Sequence, residues 1–215
     1  MTKAVIWDMD GVLVDTGAFH FRAWQRILRE RGRDLTEKEF LESFGMKSVD
    51  ILRNTLGDLP PEELRFLAQR KEEYYREEIE GHLQPLPGVR TMLESLNQAG
   101  FHQALASSAP LRNINLVLES LGIRQNFEAI VSGDDVQQGK PNPAIFLEAS
   151  RRLGVPPTCC VVVEDALAGV KAAKAAGMRC VAVTNTNPPD KLGEADMVVA
   201  SLEEISPQTL ERLLV

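Results

Sequence analysis

Two carboxylates separated by one residue follow the first apolar run of the chain. Asp8 and Asp10 come directly after the run 4–7, and Gly11 follows them. In an extended chain, side chains two positions apart point the same way, so both carboxylates can face one site. Such a pair suits a hard cation such as Mg²⁺, or a nucleophile beside a general acid/base. The motif is equally typical of an ordinary Asp-Gly turn, so alone it leaves both interpretations open.

A second acidic pair, Glu164 and Asp165, follows the apolar run 160–163. Asp is a favoured helix N-cap, which accounts for one of these acids but not for both. Parallel sheets bind ligands beyond the carboxyl ends of their strands. Two acidic sites at strand ends of one sheet therefore favour a shared metal site over two coincidences.

Two further segments carry groups that suit an anion. Ser107 and Ser108 follow the run 103–106 just before a predicted helix, where hydroxyl and free backbone N–H groups can bind phosphate. Lys140 lies in a proline-braced loop, and its ammonium group is a compact charge suited to phosphate. Taken singly, a helix N-cap and an exposed loop lysine are the simpler interpretations.

Short apolar runs alternate with helical patterns along most of the chain. Proline near the start and glycine just past the end of these helical patterns are the expected boundary signals. The alternation predicts βαβ units and a Rossmann-like parallel sheet, an α/β core. The apolar runs are 4–7, 103–106, 129–131, 160–163, 180–183 and 197–199, and the helical patterns between them include 111–121, 143–153 and 166–176.

One long stretch interrupts this alternation with helices alone. We expect an all-helical cap domain at 16–84, inserted into an α/β core domain made of 1–15 and 85–215. Its acidic segment 72–80 is expected to be a solvated helix face. Tyr74 and Tyr75 receive no role. The predicted helices of the insertion are 19–31, 37–43, 49–56 and 61–79, followed by a linker at 84–88.

Composition narrows the function classes. The 215 residues are 44% hydrophobic and 26% charged, which predicts a globular chain with a substantial core, and the net charge of −7 argues against generic nucleic-acid binding. The three cysteines are expected as core thiols in a reducing compartment, with no zinc site. The chain starts without a signal-peptide pattern, and no apolar run approaches the 18 residues of a membrane span. We therefore expect a cytoplasmic protein, by default a monomer.

The four chemical sites together resemble the haloacid dehalogenase superfamily of phosphohydrolases. Their order along the chain is Asp-x-Asp, serine, lysine and Glu-Asp, and the resemblance covers nearly the whole sequence. The helical insertion is similar to the α-helical cap of that superfamily. The segments 8–16, 20–24, 139–143 and 163–170 are similar to its β-phosphoglucomutase-like branch.

The resemblance implies Mg²⁺-dependent phosphoryl transfer to and from a carboxylate. Asp8 would attack phosphorus and form an aspartyl phosphate, and Asp10 would be the general acid/base. The metal would be held by the Asp8 carboxylate, the Asp10 backbone carbonyl, Glu164 and Asp165. Other residues are implied to bind the phosphoryl group or the substrate, namely Ser107, Ser108, Lys140, His20 and Lys47. The acid at position 10 favours C–O–P chemistry over C–Cl or C–P cleavage.

Phosphatase and mutase differ in the group that accepts the phosphoryl. The mutases carry a Lys-Asn pair after the serine motif, whereas 108–111 has none, and Lys47 stands near the place of their cap arginine. We therefore expect a phosphatase of small sugar phosphates. A sugar phosphate mutase is the alternative, and a non-catalytic regulatory relative is a third. The resemblance leaves open whether Lys47, Arg22 or Lys71 forms a second phosphate site.

Overall fold

The computed structural model describes residues 2–214 and contains one six-stranded sheet in which all neighbouring strands are parallel. The strand order is β3-β2-β1-β4-β5-β6, so β1 lies beside β2 and β4 in the middle of the sheet. This confirms the predicted Rossmann-like α/β class. The strands are β1 (Ala4–Trp7), β2 (His102–Ala106), β3 (Ala129–Val131), β4 (Cys160–Glu164), β5 (Arg179–Val183) and β6 (Met197–Val199).

Helices were found at all the predicted helical patterns, and α9 is an additional helix that was not predicted. They are α1 (Gly17–Arg29), α2 (Glu37–Ser43), α3 (Ser48–Leu56), α4 (Pro61–Ile79), α5 (Val89–Gln98), α6 (Leu111–Leu121), α7 (Ala144–Leu153), α8 (Leu167–Ala175) and α9 (Pro207–Leu213). Gly122 and Gly154 take left-handed backbone conformations just after α6 and α7. A left-handed residue there closes the last helical turn, which is why glycine marked these ends in the sequence.

Both faces of the sheet are covered, because successive side chains of each strand point to opposite faces. Val5 and Trp7 belong to one buried cluster, together with apolar residues of α5, α6 and α9. Ala4 and Ile6 belong to the other, against α7 and α8. Burial on two faces explains why the strands read as continuous apolar runs rather than alternating ones.

Helices α1 to α4 form the stretch between β1 and α5, which we call the helical insertion (Gly17–Ile79). Trp24 and Ile27 of α1 are buried, as are Leu64 and Leu67 of α4, in the same cluster as one face of the sheet. The chain leaves the core and re-enters it side by side, because Val14 forms a β-bridge with Pro85. The division into a cap domain at 16–84 and a core of 1–15 and 85–215 stays a proposal.

The acidic stretch of α4 differs from its expected solvated face. Glu72 is only 5% exposed, and Tyr74 and Tyr75 are also buried. The prediction was wrong for Glu72, because this side chain points from α4 toward the core. Its carboxylate accepts hydrogen bonds from Ser48 of α3 at 2.5 Å and from Asn113 of α6 at 2.7 Å.

Candidate active site

The predicted chemical residues meet at the carboxyl ends of three adjacent strands. Asp8 follows β1, Ser107 follows β2, and Glu164 ends β4 with Asp165 next to it. The backbone N–H of Asp8 donates to the carbonyl of Val163 at 3.0 Å, which extends the β1–β4 pairing up to Asp8 itself. Central strands of a parallel sheet thus fix the backbone under the site.

Three carboxylates form a tight cluster at this edge. One oxygen each of Asp8, Glu164 and Asp165 lies within 4.8 Å of the others, and all three side chains are buried. Asp165 Oδ1 has no hydrogen-bond partner within residues 2–214. A buried carboxylate oxygen without a partner is costly. The donor set, all oxygen and all anionic, is the one that Mg²⁺ prefers, so the residues present fit a divalent cation.

Two glycines make room for this cluster. Gly11 has a φ of +80°, and a Cβ there would overlap the Asp165 carboxylate. A Cβ at Gly169 of α8 would overlap the Glu164 carboxylate. Glu164 Oε2 in turn accepts the backbone N–H groups of Asp165 and Ala166, both at 2.8 Å, which fixes its orientation.

Lys140 supplies the positive charge of the cluster. Its ammonium group donates to Asp8 Oδ1 at 2.6 Å and to Glu164 Oε1 at 2.5 Å. The lysine is 1% exposed, so it is not the exposed loop residue that the simpler interpretation of the sequence proposed. Its acidic neighbours raise its pKa despite burial, so the ammonium stays charged.

Burial and mutual repulsion destabilise the ionised forms of the carboxylates. Burial raises the pKa of Asp8, Lys140 opposes this, and Glu164 and Asp10 add to the rise, so that the pKa is about 7. Burial and the adjacent Glu164 also raise the pKa of Asp165. One lysine does not neutralise this much buried negative charge, which is a second reason why the cluster fits a cation.

Asp10 faces the helical insertion rather than the carboxylate cluster. Its Oδ1 accepts from Thr16 Oγ1 at 2.5 Å, from His20 Nε2 at 3.3 Å and from the Tyr75 hydroxyl at 3.5 Å. Burial raises the pKa of Asp10, but His20 and Thr16 outweigh it and hold that pKa below its usual value. Asp10 is therefore an ionised carboxylate in this arrangement.

His20 is the link between Asp10 and the far side of the cavity. Lys71 Nζ lies 2.8 Å from His20 Nδ1, so the ammonium donates to that nitrogen and Nε2 carries the proton toward Asp10. Burial and the Lys71 charge lower the pKa of His20, in keeping with a neutral ring. The ring stacks on Tyr75 with centroids 3.9 Å apart, which fixes its plane.

The two serines differ in orientation. Ser107 is buried, and its Oγ accepts the backbone N–H of Ala109 at 3.1 Å. Ser108 instead donates to the carbonyl of Gly45 in the helical insertion at 2.7 Å. Ser107 therefore lies on the floor of the site, whereas Ser108 joins the core to the insertion.

One cavity between the sheet and the helical insertion, which we call the reaction cavity, is lined by Asp8, Asp10, His20 and the two serines. The sheet side is lined by Asp8, Asp10 and 107–109, and the side of the insertion by His20, Trp24, Phe40, 44–46, Ser48, Ile51, Lys71 and Glu72. The floor is thus faced by apolar side chains together with His20, Lys71 and Glu72, and the apolar ones limit water beside the carboxylates.

Two predicted cations point elsewhere. Lys47 Nζ donates to the backbone carbonyl of Val136 at 2.9 Å and does not line the reaction cavity within the described chain. Arg22 is exposed on α1, where it pairs with Glu78 at 2.6 Å. Of the three residues left open for a second phosphate site, only Lys71 lies in the reaction cavity.

Sequence reasoning did not select several residues that shape the site. Thr16 and Tyr75 bind Asp10, and the Thr186 hydroxyl donates to Asp165 Oδ2. Asn187 Nδ2 donates to the Asp165 carbonyl at 3.1 Å. Position offers one signal: Thr186 and Asn187 follow β5, the strand beside β4, so they lie at the same sheet edge as the acids.

Comparison with known proteins decides the family. The model of the haloacid dehalogenase-like hydrolases matches residues 5–183. The chain belongs to this family. Its β-phosphoglucomutase relative from Bacillus subtilis (strain 168) is 37% identical, and the match spans 98% of this chain and 93% of that protein. Hexitol phosphatase A from Escherichia coli (strain K12) is 33% identical, across 95% of this chain and 93% of that protein.

The fold of this haloacid dehalogenase-like hydrolase matches solved structures as well. The crystal structure of a β-phosphoglucomutase from Clostridium difficile superposes with a TM-score of 0.90 at 29% identity, covering 100% of this chain and 97% of that one. Relatives thus include both a mutase and a phosphatase. Within residues 2–214, no helix has the length and apolar character needed to cross a membrane.

Proposed function

We propose that this protein is a Mg²⁺-dependent phosphoric monoester hydrolase of small sugar phosphates that works through an aspartyl phosphate on Asp8. The observation that carries the proposal is the buried cluster of Asp8, Glu164, Asp165 and Lys140 below a cavity closed by the helical insertion. The family is one of hydrolases, and hexitol phosphatase A is among its members similar to this chain.

Asp8 is the proposed nucleophile. Its carboxylate would form a bond to phosphorus as the ester oxygen leaves, and water would later release inorganic phosphate from the aspartyl phosphate. Lys140 contacts Asp8 at 2.6 Å, close enough to hold a phosphoryl oxygen beside the attacking carboxylate. Ser107, on the floor after β2, would hold another. Charge neutralisation is required, because an anionic nucleophile and a phosphate repel each other.

The Asp8 carboxylate, the Asp10 carbonyl, Glu164 and Asp165 would hold Mg²⁺. When bound, the ion would neutralise the phosphoryl oxygens and so allow the carboxylate to approach phosphorus. Asp165 Oδ1, which is buried and has no hydrogen-bond partner among residues 2–214, supports the site.

Asp10 is the proposed general acid/base. The lowered pKa of Asp10 keeps this group ionised, which is the state required in the hydrolytic half of the reaction, when the carboxylate would take a proton from the attacking water. In the first half, the same group, protonated by the hydrolytic half of the preceding turnover, would give that proton to the leaving oxygen. Hydrogen bonds from Thr16 and His20 hold the Asp10 carboxylate toward the helical insertion, the side on which the sugar would bind.

A sugar phosphate mutase is the second candidate, favoured by the similarity to two β-phosphoglucomutases. The phosphatase is preferred because 108–111 lacks a polar pair and because Lys47 bonds to Val136 instead of facing the reaction cavity. A non-catalytic regulator is the third, and turnover that depends on Asp8 would exclude it.

One incubation separates these candidates. The protein is mixed with Mg²⁺, β-glucose 1-phosphate and a trace of glucose 1,6-bisphosphate, and inorganic phosphate and glucose 6-phosphate are assayed together, with Asp8→Asn as the control. Phosphate release here and across a panel of sugar phosphates supports the phosphatase. Rapid formation of glucose 6-phosphate with almost no free phosphate overturns it in favour of the mutase. Absence of both products across the panel overturns both enzymes.

A further inference from the structure

The short segment 185–187 lies against the carboxylate cluster and has no role in the proposed chemistry. We call it the β5 loop, because it follows β5, the strand beside β4. Asn185 Nδ2 donates to the Gly11 carbonyl at 2.8 Å, and Asn187 Nδ2 donates to the Asp165 carbonyl at 3.1 Å. The β5 loop therefore binds both segments that carry the acids, the one after β1 and the one after β4.

The polar atoms of Asp165, except for Oδ1, all have partners. Its backbone N–H donates to Glu164 Oε2 at 2.8 Å, and its carbonyl accepts from Asn187. Its Oδ2 accepts a hydrogen bond from the Thr186 hydroxyl. Oδ1 is buried and has no partner among residues 2–214. Asp165 therefore presents one oxygen, held in a fixed direction, to an ion in the cluster.

Packing also separates the two carboxylate oxygens of Asp165. A Cβ placed on Gly11 would overlap Asp165 Oδ2 and would lie 2.8 Å from Thr186 Oγ1. Oδ2 is thus packed against the Gly11 backbone as well as against the Thr186 side chain. A cation that also bound Oδ2 would have to displace the Thr186 hydroxyl, which would then lose its hydrogen bond.

Glu164 is restricted in the same way but by different groups. Its Oε2 accepts the backbone N–H groups of Asp165 and Ala166, both at 2.8 Å. Its Oε1 accepts the Lys140 ammonium at 2.5 Å. Backbone donors cannot be removed by changing a side chain, whereas one hydroxyl group holds Asp165 Oδ2. Thr186 is therefore the residue through which this restriction can be changed.

The number of oxygens that a carboxylate offers distinguishes Mg²⁺ from Ca²⁺. Mg²⁺ requires octahedral geometry with oxygens at about 2.0–2.1 Å, whereas Ca²⁺ takes about six to eight oxygens at roughly 2.3–2.6 Å and can use both oxygens of one carboxylate. We propose that Thr186 is a positioning residue that keeps Asp165 a one-oxygen ligand and thereby selects Mg²⁺ over Ca²⁺. This inference rests on the proposed function, because it concerns the cation of the proposed metal site.

The test is a titration of the protein with each cation in the absence of any ester. Apparent Kd values for Mg²⁺ and Ca²⁺ are obtained from the dependence of Tm on cation concentration, and the ratio of the two is compared between variants. We expect the wild type to prefer Mg²⁺. Thr186→Val replaces the hydroxyl by a methyl group of similar size. It should lower this preference by about tenfold, because groups that orient a metal ligand change metal affinity by about 10- to 100-fold.

Two further variants separate cation selection from a structural role. Thr186→Ser retains the hydroxyl and should keep the wild-type ratio of Kd values. Thr184→Val is the matched control and should also keep it. Thr184 is half-buried, and within residues 2–214 its hydroxyl forms no hydrogen bond with Asp8, Glu164 or Asp165. A purely structural role of Thr186 would weaken the binding of both cations equally and leave the ratio unchanged.

Three results of the titration would overturn the proposed selection. They are a wild type without preference for Mg²⁺, an unchanged ratio in Thr186→Val, and an equal change of the ratio in Thr184→Val. Should Thr186→Val fail to fold, a crystal structure of the wild type soaked in Ca²⁺ decides instead. Asp165 that binds Ca²⁺ through Oδ1 alone, or a site that takes up no Ca²⁺, supports the selection, and Asp165 that binds through both oxygens contradicts it.

These measurements do not depend on turnover, so they are separate from the test of the proposed function. If no ester is hydrolysed but the ratio falls in Thr186→Val alone, the proposed function fails and the selection by Thr186 stands. If phosphate is released with Mg²⁺ but the ratio is the same in Thr186→Val, the proposed function stands and the selection by Thr186 fails.

Discussion

The two sides of the reaction cavity are built differently. On the sheet side, Asp8, Glu164 and Lys140 bind one another and the strand backbone beneath them, so their positions follow from the pairing of β1 with β4. On the other side, His20 and Lys71 lie on two helices of the insertion, and His20 contacts Asp10 of the sheet side. The comparison indicates that the charges proposed for phosphoryl transfer are preassembled on the sheet, whereas the groups of the insertion depend on how its helices pack against the sheet side.

This difference predicts unequal costs of mutation. A change on the sheet side removes a reacting group or its counter-charge at every stage of turnover. A change on the insertion side alters how Asp10 is held and how well the cavity is closed. The following predictions run from the largest expected effect to the smallest, and each would strengthen or break the contrast.

Replacing Asp8 by Asn should reduce turnover by about 10⁴-fold or more, because an amide does not attack phosphorus. Steady-state phosphate release measures the loss, and circular dichroism checks that the variant is folded. The amide fits the same volume and removes one buried negative charge. Turnover within tenfold of the wild type would show that the preassembled carboxylate is not the nucleophile.

Removing divalent cations should abolish turnover, because the metal would be held on the sheet side, and should lower the thermal stability of the protein. We expect EDTA to stop phosphate release, excess Mg²⁺ to restore it, and Mg²⁺ to raise Tm because it binds only the folded cluster. Differential scanning fluorimetry provides the Tm. In Asp165→Asn the Mg²⁺-dependent rise in Tm should shrink or vanish, and an undiminished rise would place the metal elsewhere.

Replacing His20 by Ala should reduce kcat/KM by about 10²-fold, at the lower end for general acid/base catalysis, since Asp10 loses its neutral hydrogen-bond donor. Lys71→Met should act in the same direction, because it no longer orients the His20 ring. Arg22→Gln, on the same helix as His20 but exposed, is the matched control and should remain close to the wild type. Losses as large as that of Asp8→Asn would erase the distinction between the two sides.

Replacing Lys47 by Met should have the smallest effect, less than about tenfold in kcat/KM, because it removes one hydrogen bond between insertion and core. The same factor is expected for every sugar phosphate, since the ammonium bonds to the Val136 carbonyl and not to a ligand. A loss of kcat/KM confined to one class of substrate, measured across a panel, would instead indicate that Lys47 binds the substrate.

The helices and strands could be predicted from the sequence, because the residue patterns that define them are local. The bounds of α2, α4 and α6 agree with the predicted ranges: Thr36 caps the start of α2, α4 begins at Pro61, and Gly122 follows the last residue of α6. The burial of both sheet faces made the strands visible as short apolar runs. Each of these signals acts within one turn or one strand, so a single sequence contains it.

The contacts across the reaction cavity could not be predicted from the sequence, because they join residues that are distant in the chain. Glu72 resembles its exposed acidic neighbours in sequence, and its burial depends on meeting Asn113, 41 residues later. Lys47 and Lys71 are both insertion lysines, yet one bonds to Val136 and the other to His20. Which way each side chain points depends on how α3 and α4 are packed against the core, and periodicity does not carry that information.

The bridge between Val14 and Pro85 has a consequence for how such a protein can change. Because the chain leaves and rejoins the sheet at adjacent positions, and Leu86 N–H donates to the Leu13 carbonyl at 3.0 Å, everything between them is a cassette with neighbouring ends. A donor segment from another sequence would need matching ends and an apolar face for the buried cluster that the insertion shares with the sheet. Recombination or protein engineering can therefore exchange the recognition surface in one step, while the sheet beneath keeps its register.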